Sequence, residues 1–415
     1  MQPPQSAIDQ AIGLCNQGHW EQTAAFAEEL VQRYPNALIL YEILGAAYIN
    51  LKNTNKTIES YQKALQLDPN HTDAYNNMGM ALCEQGKFDE AVENYRKATI
   101  LEPNFANAHF NLGNALKQKG KLKQAIESYK VSLAISPNDS EILLNYGNTL
   151  KDFGDFDQAI AVYTQALRAD PNNPLVQTNL DNTVEEKTEI DKLVADYARI
   201  TNLDIGSAEI NNFVGTLFKA RGYLDMAIDR YKQAINLQSD YSEAYCNIGH
   251  ILRKKGDLDA AIDSYQKAIT IAPDHSHACI NMGIALSEKG NLDAAIDSYE
   301  RAITIDPEFS EAFCNLGIVL EKKGDLDAAI DNYQKAIAIN PEFSEAYFYI
   351  GNVLQKKGNL DAAIDNFKQA LKFKPAYAEV FNNMGNALLD RGDLDAAIEC
   401  YKRALGVKPD FAACY

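Results

Sequence analysis

The sequence repeats itself with a period of 34 residues, and this period limits the possible folds more than any other feature. Periods of about 20–50 residues indicate stacked arrays, because one short unit cannot bury its own apolar surface without neighbours. Starting at Pro4, twelve units follow one another without an insertion, and the last ends at Phe411. Three residue sets mark this grid: ten glycines from Gly45 to Gly385, nine glycines from Gly86 to Gly392, and ten prolines from Pro35 to Pro409.

Each unit contains two stretches with helical spacing, described here by positions 1–34, with Ser242 at position 1 of the eighth unit. Apolar or small residues at positions 4, 7, 8 and 11 share one face of a first helix, and those at positions 20, 24 and 27 share one face of a second. Gly256 and Asp257 separate the two helices, and Asp257 is predicted to cap the second. Pro273 ends it, because proline cannot donate the next hydrogen bond.

These positions resemble the tetratricopeptide repeat signature over nearly the whole chain. The resemblance implies an all-α fold, a right-handed superhelical solenoid of about twelve 34-residue helix-turn-helix units. It also implies that the first helices line a concave groove, and that the groove binds peptides or proteins. In the eighth unit the matching residues are Tyr245, Ile248, Gly249, Leu252, Gly256, Leu258, Ala261, Tyr265, Ala268 and Pro273.

Repeat identity divides the chain into four parts. We expect an N-terminal array of five units at 4–173, a degenerate in-phase repeat at 174–207, a C-terminal array of six units at 208–411, and the start of a further repeat at 412–415. Because the sequence stops early in that further repeat, we expect either a longer protein or a partner that covers this uncapped end. A second copy of the chain is one such partner.

The degenerate repeat keeps its length but loses its glycines. Asp181 stands at position 8 and Thr188 at position 15, while an apolar helical stripe persists, so we expect this unit to remain in the stack. No glycine or proline lies between Leu175 and Ile205. A more continuous helix, or a hinge between two arrays, is therefore the alternative.

An asparagine recurs at position 6, directly before the apolar residue at position 7. At about 100° per residue, positions 2, 6, 9 and 13 point away from the packed face of the first helix, which is the groove side in the resembling fold. Polar side chains also recur at position 9. We therefore predict peptide binding by Asn77, Asn111, Asn145, Asn179, Asn247, Asn281, Asn315 and Asn383 at position 6, and by Asn114, Asn148, His250, Asn352 and Asn386 at position 9.

Two other interpretations of the asparagines stay open. Units seven to eleven share phrases such as GDLDAAID, so duplication alone could have copied the residue, and the amides could be merely solvated or bonded to one another. An amide nevertheless offers a donor and an acceptor, as a peptide group does, so a row of amides suits an extended chain of any sequence. At about 0.5–1.5 kcal/mol for each neutral hydrogen bond, the expected affinity is modest.

The phrases AYCNIGH and VFNNMGNALLDRG resemble the repeat region of the O-linked N-acetylglucosamine transferases, which has such an asparagine row. Our first expectation is a non-catalytic protein–protein interaction scaffold. The second is the substrate-recognition arm of a larger glycosyltransferase of that kind, whose catalytic domain is not in this chain. A third is an assembly factor that holds its partners on the convex face.

Composition and motifs argue against several other classes. A net charge of −18 and a pI near 4.8 disfavour binding to nucleic acid and to anionic membranes. Seven cysteines without a disulfide framework fit a reducing compartment, so we expect a cytoplasmic protein. We recognise no cofactor or catalytic motif, and nothing completes a metal site around His250, His275 and His277. The carboxylate clamp of related repeats is also missing its cations, since position 5 holds residues such as Phe110.

Overall fold

The structure is a computed structural model that describes residues 2–410, and these residues form 23 α-helices. Twenty-two of the helices form eleven consecutive pairs, and one long helix, α11, stands in place of a pair. The described residues contain no strand, so the predicted all-α helical solenoid is confirmed. The helices are α1 (Gln5–Asn16), α2 (Trp20–Arg33), α3 (Leu38–Asn50), α4 (Thr54–Leu67), α5 (Thr72–Glu84), α6 (Phe88–Leu101), α7 (Ala106–Gln118), α8 (Leu122–Ile135), α9 (Ser140–Phe153), α10 (Phe156–Ala169), α11 (Pro174–Thr201), α12 (Ala208–Arg221), α13 (Leu224–Leu237), α14 (Ser242–Lys254), α15 (Leu258–Ile271), α16 (Ser276–Glu288), α17 (Leu292–Ile305), α18 (Ser310–Lys323), α19 (Leu326–Ile339), α20 (Ser344–Lys356), α21 (Leu360–Phe373), α22 (Ala378–Arg391) and α23 (Leu394–Val407).

The chain divides into two compact units. The first comprises the described residues up to Asn202 together with Ala220–Met226, and the second comprises Leu203–Lys219 and the described residues from Ala227 onward. The repeat boundaries at 4–173, 174–207 and 208–411 stay predictions. The further repeat predicted at 412–415 lies outside the described residues.

The two helices of a pair meet where a glycine of the first faces an aromatic ring of the second. A Cβ added to Gly249 would lie 2.7 Å from the ring of Tyr265, closer than the 3.0 Å that real Cβ atoms keep. Tyr265 is fully buried, and burying a ring of this size stabilises the fold by about 1.5–3 kcal/mol. The same contact joins Gly45 with Tyr61, Gly79 with Tyr95, Gly113 with Tyr129, Gly147 with Tyr163, Gly215 with Tyr231, Gly283 with Tyr299, Gly317 with Tyr333, Gly351 with Phe367, and Gly385 with Tyr401.

The turn between the helices of a pair uses a left-handed residue followed by a polar cap. Gly256 has a φ of 84°, which is open to glycine at little cost. The carboxylate of Asp257 then accepts a hydrogen bond from the backbone N–H of Ala260 at 3.2 Å, which confirms the predicted cap of α15. In the second repeat Lys52 occupies the position of Gly256 and keeps a φ of 54°.

Residues 174–207 do not form a helix pair. The continuous-helix alternative is the one present in the structure, since α11 runs for 28 residues without a break. Thr188 stands where the other repeats have a left-handed turn residue, so nothing reverses the chain there. The helix ends at Asn202, which adopts the left-handed conformation with a φ of 55°. Val176, Thr183 and Ile190 form its buried stripe.

We predict that Lys52→Gly raises the free energy of unfolding by about 1 kcal/mol. The left-handed conformation costs a non-glycine residue about 1–2 kcal/mol, and the extra freedom of glycine in the unfolded chain offsets part of the gain. Chemical denaturation monitored by circular dichroism measures the change. Lys63→Gly, inside α4 of the same repeat, is the matched control and should instead lower the stability by about 1 kcal/mol. A loss of stability in both variants would contradict the account of this turn.

Candidate functional site

The predicted binding residues lie on the first helices of their pairs, and the eight position-6 asparagines are all half-buried. Asn247 illustrates the setting, because the next two residues, Ile248 and Gly249, are buried against the second helix. The amide therefore stands at the edge of the packed surface, with one side open. The structure thus brings the position-6 residues onto equivalent sites of successive helices, with Asn179 contributed by the first part of α11.

Two of these asparagines donate to a position-9 asparagine of the preceding repeat. The side-chain nitrogen of Asn179 donates to Oδ1 of Asn148 at 2.8 Å, and that of Asn383 donates to Oδ1 of Asn352 at 2.8 Å. The two predicted sets of residues, at positions 6 and 9, are therefore joined across repeats at these two points.

Two further asparagines donate to a position-5 asparagine of the preceding repeat. Asn111 donates to Oδ1 of Asn76 at 3.0 Å, and Asn247 donates to Oδ1 of Asn212 at 3.3 Å. Both acceptor residues are only 6% exposed, so these bonds lie deeper than those at position 9. Sequence reasoning missed Asn76 and Asn212. The available signal was an asparagine at a position otherwise occupied by apolar or small residues.

The remaining position-6 asparagines form other contacts. Asn77 donates to the hydroxyl of Tyr61 at 3.1 Å. Asn145 donates to the carbonyl oxygen of Glu141 in its own helix at 3.0 Å, and Asn281 contacts Sγ of Cys246 at 3.9 Å. The side chain of Asn315 has no hydrogen bond within residues 2–410. The row is therefore continuous in position but not in bonding.

Buried tyrosines connect the core to this face. The ring at position 24 passes over the glycine of the first helix. Its hydroxyl reaches an asparagine at position 9 of the same repeat in three repeats, and Thr216 at position 9 in a fourth. Burial raises the pKa of such phenols, to about 12 for Tyr61, so they are neutral donors at physiological pH. Tyr129 donates to Asn114 at 2.6 Å, Tyr163 to Asn148 at 2.8 Å, and Tyr401 to Asn386 at 2.7 Å.

The eighth repeat has a different environment because His250 occupies position 9. Its pKa lies below the usual value, first because the ring is partly buried, and then because Lys219, Arg253 and Lys254 repel a proton there. Lys219 also donates from Nζ to Oδ1 of Asn247 at 3.2 Å. Basic side chains thus gather around the asparagine of this repeat.

The first-helix face contains a cleft in each of the two units. One has a volume of about 340 Å³ and is lined by residues that include Asn77, Phe110, Asn111 and Glu141. The other has a volume of about 400 Å³ and is lined by Glu321, Asn352, Gln355, Lys356, Asn383 and Asn386. Both clefts are large enough for ligand side chains.

Two further features of the described part of the chain concern possible metal ligands and long apolar helices. Within residues 2–410, no three or more histidine, cysteine, aspartate or glutamate side chains are grouped so that they could hold a metal ion. The rings of His275 and His277 meet edge to face, with their centroids 6.5 Å apart. Across the same residues, no helix combines the length and the apolar character needed to cross a membrane.

Family models match most of the repeats. A model described as "TPR repeat" matches residues 79–120, 215–252, 283–324, 322–358 and 351–392. Three models described as "Tetratricopeptide repeat" match 39–71, 242–275 and 378–411, then 116–180, and then 60–93. Together these matches span 39–180, 215–275 and 283–411, which is well over half of the 415 residues. The unmatched stretch 181–214 includes most of α11. The models describe the repeat alone, so the likeness to glycosyltransferases stays a prediction.

Solved structures include similar repeat proteins. "Crystal structure of MamA protein" has 29% identity and a TM-score of 0.37, covering 42% of this chain and 96% of that one. "Crystal structure of YrrB: a TPR protein with an unusual peptide-binding site" has 26% identity and a TM-score of 0.37, covering 44% and 95%. "Crystal structure of APC/C hetero-tetramer Cut9-Hcn1" has 15% identity and a TM-score of 0.47, covering 97% and 93%. No curated protein matches.

Proteins built from this repeat generally bind protein or peptide partners, and an array of such repeats suggests an interaction scaffold. The 34-residue period, the helix pairs and the family models agree. The chain belongs to the tetratricopeptide repeat family.

Proposed function

We propose that the protein is a non-catalytic scaffold whose first-helix face binds an extended protein segment through its main chain. This proposal rests on a difference between the nitrogen and the oxygen of the position-6 amides. The nitrogen of most of these amides donates to a neighbouring group, while the carbonyl oxygen of five accepts no hydrogen bond from the described residues. These five are Asn111, Asn145, Asn179, Asn281 and Asn315.

The bonds between repeats support binding rather than compete with it. Each amide has two N–H donors and two acceptor lone pairs, so the single bond from Asn111 to Asn76 leaves an N–H and the carbonyl for a ligand. The same bond holds the side chain in one rotamer before a ligand arrives. Ordering a flexible side chain on binding costs about 0.5–1.5 kcal/mol, and a side chain already held avoids this cost.

The expected affinity is modest and the expected specificity is broad. Five neutral hydrogen bonds at about 0.5–1.5 kcal/mol each sum to roughly 2.5–7.5 kcal/mol before the ordering of the ligand is subtracted. Main-chain groups are the same in every sequence, so amides that bind them select for an extended conformation rather than for particular side chains.

Aromatic side chains beside the amides supply some selectivity. Phe110 lines the cleft of the first unit. In the second unit Tyr349 replaces the position-6 asparagine and stacks on Tyr333, with ring centroids 5.4 Å apart and an interplanar angle of 16°. Apolar or planar ligand side chains fit beside such rings.

Replacing three amides tests the proposal. We predict that Asn247→Ala, Asn281→Ala and Asn315→Ala together weaken binding of peptides selected from a random library about 10- to 100-fold, because up to three hydrogen bonds to the ligand are lost. The helical circular dichroism signal should not change. Fluorescence anisotropy with labelled peptides measures the affinity.

The matched control is a triple variant outside the first helices, with two changes in second helices and one in the loop after α13. Gln238→Ala, Gln266→Ala and Gln334→Ala remove three exposed amides and should leave the affinity within twofold. Equal affinity of the asparagine variant and the native protein would refute the proposal. A loss of peptide affinity in the control variant alone would instead favour an assembly factor that uses the second-helix face. The expectation is the same if the array is the substrate-binding arm of a larger glycosyltransferase.

The bonds between repeats also predict a difference in stability. Asn383→Ala removes the hydrogen bond to Asn352 and the one that Asn383 accepts from Asn382, and it should lower the free energy of unfolding by about 1–2 kcal/mol. Asn315→Ala removes no such bond and should change it by less than about 0.5 kcal/mol. Urea denaturation of the two variants measures both values. Equal effects would mean that the asparagine-to-asparagine bonds do not hold in solution.

A further inference from the structure

Four basic residues of the second unit gather on the first-helix face, and we call them the basic patch: Lys219, His250, Arg253 and Lys254. They lie at positions 12, 9, 12 and 13 of two consecutive repeats. The whole chain has a net charge of −18, so a local excess of cations is not a consequence of composition. The patch is also distinct from the missing carboxylate clamp, which would use positions 2, 5, 6 and 9.

Some cations at the same positions elsewhere are neutralised by a neighbouring repeat, whereas Lys322 donates to the hydroxyl of Ser287 instead. Lys117 pairs with Asp152 at 2.9 Å, and Lys356 pairs with Glu321 at 2.5 Å. Within the basic patch, Arg253 pairs in the same way with Glu288 at 2.5 Å. Lys219 and Lys254, by contrast, lie in no ion pair among residues 2–410. The patch therefore keeps two positive charges that the protein itself does not neutralise.

The hydrogen bonds of the eighth repeat are also incomplete. Nε of Arg253 is buried without a partner, and so is the hydroxyl of Tyr265, a residue with no exposed surface. The ring of Tyr265 lies against Gly249, directly before His250. In three other repeats the equivalent hydroxyl donates to an asparagine at position 9, where this repeat has a histidine. Burial raises the pKa of the Tyr265 hydroxyl and the positive charge of Arg253 opposes this rise, so these two groups lie close to each other behind the patch.

The carbonyl oxygen of Asn247 accepts a hydrogen bond from a cation, whereas those of Asn77 and Asn383 accept from a neighbouring asparagine. Nζ of Lys219 donates to Oδ1 of Asn247 and so occupies one of the two lone pairs of this oxygen. Asn281 and Asn315, in the next two repeats, keep their carbonyl oxygens open. Positive charge therefore lies directly beside the row of amides at the eighth repeat.

We propose that the basic patch binds one anionic side chain of the extended segment, either a carboxylate or a phosphate ester. This inference rests on the proposed function, because the anion belongs to a segment held by the neighbouring amides. The anion fixes the position of the segment along the row of amides, which otherwise binds only main-chain groups. It also lies close to His250 and favours protonation of that ring on binding.

Selection of peptides on the full chain tests the inference. A displayed library of random peptides is selected on the native protein and on the double variant Lys219→Ala, Lys254→Ala. We expect aspartate or glutamate to be enriched at one fixed position of the peptides bound by the native protein, and not of those bound by the variant. The selected acidic peptides should bind the variant about tenfold more weakly, and raised salt should narrow this difference.

Two further variants separate the patch from general charge effects. Lys322→Ala with Lys356→Ala removes two lysines at position 13 of later repeats and should keep the acidic preference. Lys219→Glu with Lys254→Glu should replace the preference for an acidic residue in the selected peptides by a preference for lysine or arginine. If peptides bind the native protein without an acidic position, the inference is wrong and the proposed function stands. If no peptide binds, both are wrong.

Synthetic versions of one selected peptide identify the anion. The acidic residue is replaced by glutamine in one version and by phosphoserine in another. Tighter binding of the carboxylate, the phosphoserine or both, relative to glutamine, supports the anion site and shows which group it prefers. Equal binding of all three would overturn it.

Discussion

The fold depends on the contact between a glycine at position 8 and an aromatic ring at position 24 of the same repeat. Only glycine leaves room for the ring, because a Cβ added to Gly249 would lie 2.7 Å from the ring of Tyr265. The two short helices of a pair bury this ring between them. Neither helix is long enough to be stable alone in water. Phe367 serves as well as tyrosine in this contact, so the apolar ring, not the hydroxyl, stabilises the pair.

The same contact determines what the outer side of the first helix can do. The ring crosses the first helix at its glycine, and in the fifth repeat this brings the hydroxyl of Tyr163 to position 9, where it donates to Asn148. Asn148 then accepts from Asn179 of the following repeat. A buried ring thus orients one amide, and that amide orients the next. In the eighth repeat this relay is missing, and the basic patch occupies its place.

Local patterns predicted the parts of the structure that depend on one repeat at a time. The cap at Asp257 and the place of Gly249 on the packed face of its helix follow from residues near in sequence, and both are present. The continuous α11 was only an alternative, because Thr188 removes a turn without showing which conformation replaces it. The bond from Asn111 to Asn76 could not be predicted, since it depends on how one repeat stacks on the next. Whether the asparagines bind a ligand is still a prediction.

The proposed function requires that the carbonyl groups of the position-6 amides accept hydrogen bonds from the main chain of an extended ligand. A crystal structure of the full chain with a peptide selected on it would show these bonds. We expect ligand N–H groups at about 2.9 Å from Oδ1 of Asn281 and Asn315. A peptide that lies on the second helices, or one that contacts the first helices only through its side chains, would contradict the proposed function.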